Sequence, residues 1–150
     1  MTTYTSTREI AAPVNLVFET VARIENFSKA IPHIINVEFL SDERSGVGTR
    51  FKETRIMGGR EATTELEIKE FSQDEQIRIV SDTHGTVWDT VFRVEPKGEG
   101  TQLSMVMIAD AYTFLARIMN MIIKGKVQAA LDEDMDAVKQ YCETQMQAVG

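Results

Sequence analysis

The order of elements along the chain constrains the fold more than any local motif. A short amphipathic helix near the N-terminus is followed by a long run of alternating strands, and one long, apolar helix closes the chain. Six or so antiparallel strands bury one face of their sheet, and only the last helix is large enough to cover it. A curved sheet wrapped around a single helix leaves a space between the two layers. The expectation is an α+β pocket protein.

Residues Tyr4 to Ala11 alternate and contain several threonines, which suits a first strand. Pro13 stands at the first turn of a helix, where its missing N–H costs nothing. Val14, Val17, Phe18, Val21 and Ala22 then recur at helical spacing. Asn26 reads as the N-cap of a second short helix, Phe27 to Ala30, ended by Pro32. Strands follow at Ile35 to Leu40, Val47 to Met57, Glu61 to Phe71, Gln76 to Thr83, Thr86 to Glu95 and Thr101 to Ala109. Gly58-Gly59 supplies a tight hairpin turn. In the strand after it, Ala62, Thr64, Leu66 and Ile68 share one face, and Thr63, Glu65, Glu67 and Lys69 share the other.

The last helix is expected from about Ala111 to about Gln147, roughly 50 Å if unbroken. Its second half has an apolar stripe of Val127, Leu131, Met135, Val138 and Cys142, opposite Asp132, Glu133, Asp136, Lys139 and Glu143. Its first half is apolar nearly all round, and Gly125 is a natural place for a kink between the halves. The acidic run Asp132-Glu133-Asp134 reads as a solvated face.

At 150 residues the chain suits a single domain, 1–150, and 43% apolar with 26% charged residues is ordinary for a soluble one. A net charge of −7 without a basic stripe argues against nucleic-acid binding. The lone Cys142 forms no internal disulfide and fits a reducing cytoplasm. Met1-Thr2-Thr3-Tyr4 has neither the basic nor the apolar region of a signal peptide. Tyr112 to Ile123, broken by Arg117 and Asn120, is too short to span a bilayer, so no stable membrane insertion is expected. A cytoplasmic location is the default. No metal-ligand spacing is present, and Gly46-x-Gly48 lacks the third glycine of a dinucleotide loop. No metal and no cofactor are expected.

Several segments resemble a known family. Arg8-Glu9-Ile10-Ala11-Ala12-Pro13-Val14-Asn15-Leu16-Val17-Phe18 is a strand running into a Pro-initiated helix, and Phe27-Ser28-Lys29-Ala30-Ile31-Pro32 is similar to a short second helix. Gly46-Val47-Gly48-Thr49-Arg50-Phe51 and the turn Gly98-Glu99-Gly100-Thr101 complete the match. Together they resemble the START-like (SRPBCC) superfamily, the polyketide cyclase/dehydrase and lipid-transport group, which includes Bet v 1-like proteins. The resemblance covers essentially the whole chain. It implies a helix-grip fold: a curved antiparallel sheet of six to seven strands around a long C-terminal helix, with two short helices after the first strand. It specifies activity poorly, because the superfamily includes binders, transporters, cyclases and regulators.

In that fold the inward set of each strand lines the cavity. Parity selects Phe51, Leu66, Ile77, Ile79, Trp88, Phe92, Leu103, Met105 and Met107, to which the helix should add Leu115, Ile118, Met119, Ile122 and Leu131. Close-packed core is the alternative for each. Flexible thioethers at Met105, Met107, Met119 and Met121 suit variable apolar ligands. Thr64, Ser81, Thr83 and Thr90 fall on the inward set as well. Glu53 and Arg55 share the parity of Phe51 and Met57, and either face the cavity as a pair or lie in solvent where the sheet curls towards Gly58-Gly59. Arg8 raises the same question through the parity of Ile10. Catalytic candidates are Glu53, Arg55, His33 and Tyr112; a histidine without a visible carboxylate partner is usually a surface residue.

Three functions compete: a carrier or sensor binding a lipid, isoprenoid or polyketide-like aromatic; an aromatase/cyclase-type enzyme; and a homodimeric interaction module using the first half of the last helix. The absence of a convincing acid–base pair favours the binder, and the third reading can coexist with it.

Overall fold

Each change in hydrophobic period along the chain becomes a change of element in the computed structural model, which describes residues 1–149. The order is β1 (Thr2–Ile10), α1 (Val14–Ala22), α2 (Ile24–Ala30), β2 (Ile34–Phe39), β3 (Arg50–Met57), β4 (Arg60–Ser72), β5 (Gln76–Thr83), β6 (Thr86–Lys97), β7 (Gly100–Ala111) and α3 (Phe114–Val149). The strands form one curved sheet in the order β1-β7-β6-β5-β4-β3-β2, antiparallel throughout. β2 to β7 form a meander, and β1 pairs with β7 at the far edge. This is the helix-grip fold.

Most expected boundaries hold to within a few residues, and two differences have clear causes. α2 begins at Ile24, not Phe27, because buried Ile24 and Phe27 anchor it directly after α1. Asn26 therefore lies inside the helix, where its side-chain amide donates to the Glu19 carbonyl at 3.1 Å. The last helix starts at Phe114 rather than near Ala111. Ala111 is still paired with Thr86 in the sheet, and the Tyr112 N–H donates to the Gly85 carbonyl at 2.9 Å. α3 then continues through Gly125 without interruption.

Gly58 and Gly59, at φ +58 and +80, make the two-residue turn between Met57 and Arg60, a conformation that favours glycine at both positions. Register shifts between Ile34 and Asn36 and between Ile68 and Glu70 invert strand parity. Beyond the second, Phe71 joins Ile68 on the inner face and meets Phe18 edge-on at 5.4 Å.

The core lies where α1, the sheet and the second half of α3 meet. Val17, Ile77, Leu103, Met135, Val138 and Cys142 are all 0% exposed. Burial pushes the Cys142 thiol pKa up, against a weaker downward effect of its contact with Thr20, and leaves it un-ionised. Polar contacts fasten β1 along the same half of α3. Ser6 donates to Asp132 at 2.7 Å, Arg8 to Asp136 at 2.6 Å, and Lys139 to the Glu9 carbonyl at 2.5 Å. Arg8, whose orientation parity left open, thus faces the helix. No described helix is long and apolar enough to cross a membrane.

The start of β7 is pinned to the end of β1. A Cβ on Gly100 would lie 2.3 Å from the Ile10 carbonyl oxygen, a backbone atom that cannot step aside, and Thr101 donates to the Ala12 carbonyl at 2.7 Å. Gly100→Ala should cost about 1–3 kcal/mol through overpacking, read as a lowered urea midpoint with an unchanged slope. A parental midpoint would show that this junction is not close-packed.

Candidate functional site

The inward faces of β3 to β7 do not meet α3 along its whole length. Between them lies a cavity of about 360 Å³, closed at one end by Val21, Ala22, Ile24 and Phe27 of α1 and α2. Most sheet residues on the inward set line it: Phe51, Glu53, Arg55, Thr64, Leu66, Ile79, Ser81, Trp88, Thr90, Phe92, Met105 and Met107. Ile77 and Leu103, also on the inward set, are instead fully buried core. Met57 lines the cavity and is 54% exposed, so the space opens to solvent beside the β3–β4 hairpin.

The helical wall differs from the expectation. α3 contributes Ile123, Val127, Ala130, Leu131 and Asp134. Leu115, Ile118, Met119 and Ile122, expected in the cavity, lie outside its lining and are exposed, as is Met121. A segment apolar on all sides has no period from which to choose its inner face. The legible signal was the stripe of the second half. Carried backward at helical spacing from Val127 it reaches Ile123, Asn120 and Ala116, the side that meets the sheet.

A charged group stands inside these apolar walls. Arg55 donates through Nε to Glu53 Oε1, and through Nη1 to Asp134 Oδ2 at 2.8 Å and Oδ1 at 3.1 Å. Glu53 and Asp134 are 8% and 7% exposed. Burial works against the guanidinium's charge, but the two carboxylates outweigh it and hold the Arg55 pKa above its ordinary value. For Asp134 burial prevails over Arg55 and raises the carboxyl pKa, so its proton is held more firmly than in water. Ser81 and Thr83 hydroxyls share a hydrogen bond at 2.8 Å on the cavity-lining set of β5.

The expectation of a solvated acidic face fails at Asp134, and the structure corrects it. Three consecutive helical residues span about 200° and cannot share a face. Asp134 lies three residues after Leu131 and four before Val138, which places it on the apolar stripe. That spacing was the available signal.

His33 and Tyr112 do not reach the cavity lining. His33 Nε2 meets Glu133 Oε1 at 2.8 Å, with both side chains at least half exposed. Tyr112, 58% exposed, donates to Asp82 Oδ1 at 2.7 Å. Tyr4, which sequence reasoning placed only in a strand, is 2% exposed and packs with Trp88, Met107, Val127 and Leu131 on the cavity wall. Its hydroxyl has no hydrogen-bond partner among the described residues.

The family model described as polyketide cyclase / dehydrase and lipid transport matches residues 1–143. A protein of Thermus thermophilus superposes with TM-score 0.74 at 18% identity, covering 99% of each chain. A START superfamily protein from Mycobacterium smegmatis gives 0.71 at 16%, again with 99% of each chain covered. The di-domain ARO/CYC StfQ from the steffimycin biosynthetic pathway gives 0.77 at 13%, with 97% of this chain spanning 51% of that one. At such identities the likeness shows the fold. No curated protein sequence matches this one.

Removing the cation from the buried group strands two carboxylates. Arg55→Ala should destabilise by about 3–5 kcal/mol at neutral pH. Arg55 is what holds the Asp134 carboxyl pKa down against burial, so without it that pKa rises further and the folded variant binds more protons than the unfolded chain as pH falls. The deficit should therefore shrink on acidification, as checked by urea titrations at neutral and acidic pH. A variant as stable as the parent at neutral pH would show that the group is solvated.

Proposed function

The chain belongs to the polyketide cyclase/dehydrase and lipid transport family, and from that premise we propose that it is a carrier or sensor for a small, largely apolar, uncharged molecule. The ligand sits in the cavity between the sheet and α3, with a hydroxyl, phenol or carbonyl oxygen at its polar end. The observation that carries this reading is the placement of one compact polar group, Glu53–Arg55–Asp134, in otherwise mainly apolar walls. Ligand sites commonly have this composition, and 360 Å³ falls within their range of about 300–1,000 Å³. An isoprenoid, a lipid fragment or a polyketide-like aromatic suits such a space.

The charge of the polar group sets the ligand's charge. Two carboxylates around one guanidinium leave a negative formal balance when Asp134 is ionised and a neutral one when it is protonated. A ligand carboxylate would gain no net attraction and would lose its hydration. A neutral hydroxyl can donate to Glu53 or Asp134, and a neutral carbonyl can accept from Arg55, at far smaller desolvation cost.

One observation favours turnover as a second reading. Asp134 holds its proton more firmly than a solvated carboxylate, inside a pocket, which suits a general acid. Of the four catalytic candidates only Glu53 and Arg55 line the cavity with it, and an aromatase/cyclase-type reaction would rest on those three residues. Asp134→Asn separates the two readings: an enzyme loses turnover while retaining ligand, whereas a carrier has no turnover to lose.

Trp88 is the only tryptophan and lines the cavity, so its fluorescence reports occupancy. Naphthol should quench it saturably, and naphthoate should bind at least about tenfold more weakly, a difference of about 1.4 kcal/mol. Equal affinities would overturn the charge rule. If neither probe binds and protein purified from its own host carries no small molecule in native mass spectrometry, the carrier reading falls.

A further inference from the structure

Half of the exposed large apolar residues among those described fall within Tyr112–Ile122, where Phe114, Leu115, Met121 and Ile122 are 70–80% exposed. Around the helix, Met121, Phe114, Ile118, Ile122, Leu115 and Met119 occupy an arc of about 160°. The opposite side, with Ala116, Asn120, Ile123 and Val127, meets the protein. Arg117 and Lys124 run along one edge of the arc, and Lys126 closes its C-terminal end. None of these three cations joins a salt bridge among the described residues. No acid occurs from Ala111 to Leu131, in a chain whose net charge is −7.

We propose that this face of α3 docks on an anionic lipid surface. An apolar arc bordered by basic residues is the composition of a helix lying in the interfacial plane of a membrane. The apolar side chains enter the acyl boundary, and the flexible stems of Arg117, Lys124 and Lys126 carry their charges back to the headgroups. The local excess of cations in an acidic protein supplies the charge complementarity. It also opposes a second copy as the occupant, because a two-fold contact through this arc would bring the same three cations of each copy to one seam. Ile123 and half-exposed Met57 both line the cavity, so its opening lies beside the docking face. The docking face is independent of what the cavity holds, and its test does not involve ligand.

The full chain is sedimented with vesicles of phosphatidylcholine alone and of equimolar phosphatidylcholine and phosphatidylglycerol. It should pellet with the anionic vesicles and be released by high salt. Replacing Arg117, Lys124 and Lys126 together by alanine should weaken partitioning roughly a hundredfold, at about fivefold per charge. Met121→Asp with Ile122→Asp should abolish it without loss of helical circular dichroism, since both side chains are solvated. Equal pelleting with both vesicles would overturn the anionic assignment. Pelleting with neither would overturn docking and leave the face to a protein partner. A dimer in sedimentation equilibrium that the aspartate pair converts to monomer, without vesicle binding, would make it an interface between copies.

Discussion

Met135, Val138 and Cys142 lose all contact with water against α1 and the sheet, and the rest of the architecture depends on that seam. Each such side chain contributes on the order of 1.5–3 kcal/mol by burial, and ion pairs from β1 hold the helix in register along the same stretch. With this half of α3 fixed, the direction of its first half is no longer free. It extends past the packed core as a lever whose inner side roofs a space and whose outer side faces water. Cavity and exposed apolar face are consequences of the same anchoring.

Stability alone does not explain the buried Glu53–Arg55–Asp134 group. Apolar residues of similar volume at such a position are often as stabilising or more so, because each ion gives up its hydration to enter the interior. The group lines the cavity, with donors and acceptors beyond those it uses internally. A polar constellation of this kind, in a cavity and with a carboxyl shifted by burial, is what makes the group a candidate functional site. Ser81 and Thr83 extend it along the wall with hydroxyls that can both donate and accept.

Strand parity was a good guide to the cavity because a pleated strand offers only two directions. Thr64, Leu66, Ile79, Ser81, Trp88 and Thr90 all line the cavity from their position in the alternation alone. Two kinds of exception arise: Ile77 and Leu103 point inward but are packed into the core, and Phe71 turns inward because the backbone breaks period two before it. Helical positions were less legible. Leu115, Ile118, Met119 and Ile122 are as apolar as Ile123 and Val127, and hydrophobicity cannot rank equals. Asp134 was hidden by its neighbours Asp132 and Glu133, since three acids in a row look like one face only if the helical turn between them is ignored.

By itself the sequence determined the element order, the antiparallel meander with its Gly58-Gly59 turn, the inward set of each strand and the need for one long helix to cover them. These follow from local sterics and from short-range periodicity, which act within a few residues. Only the tertiary structure decided which face of α3 turns inward, that Asp134 closes on Arg55 from 79 positions further along the chain, and that the first half of the helix stays uncovered. Those outcomes depend on the angle at which the anchored half of α3 meets the sheet. That angle is set by packing among α1, β1 and the helix together, and no single segment encodes it.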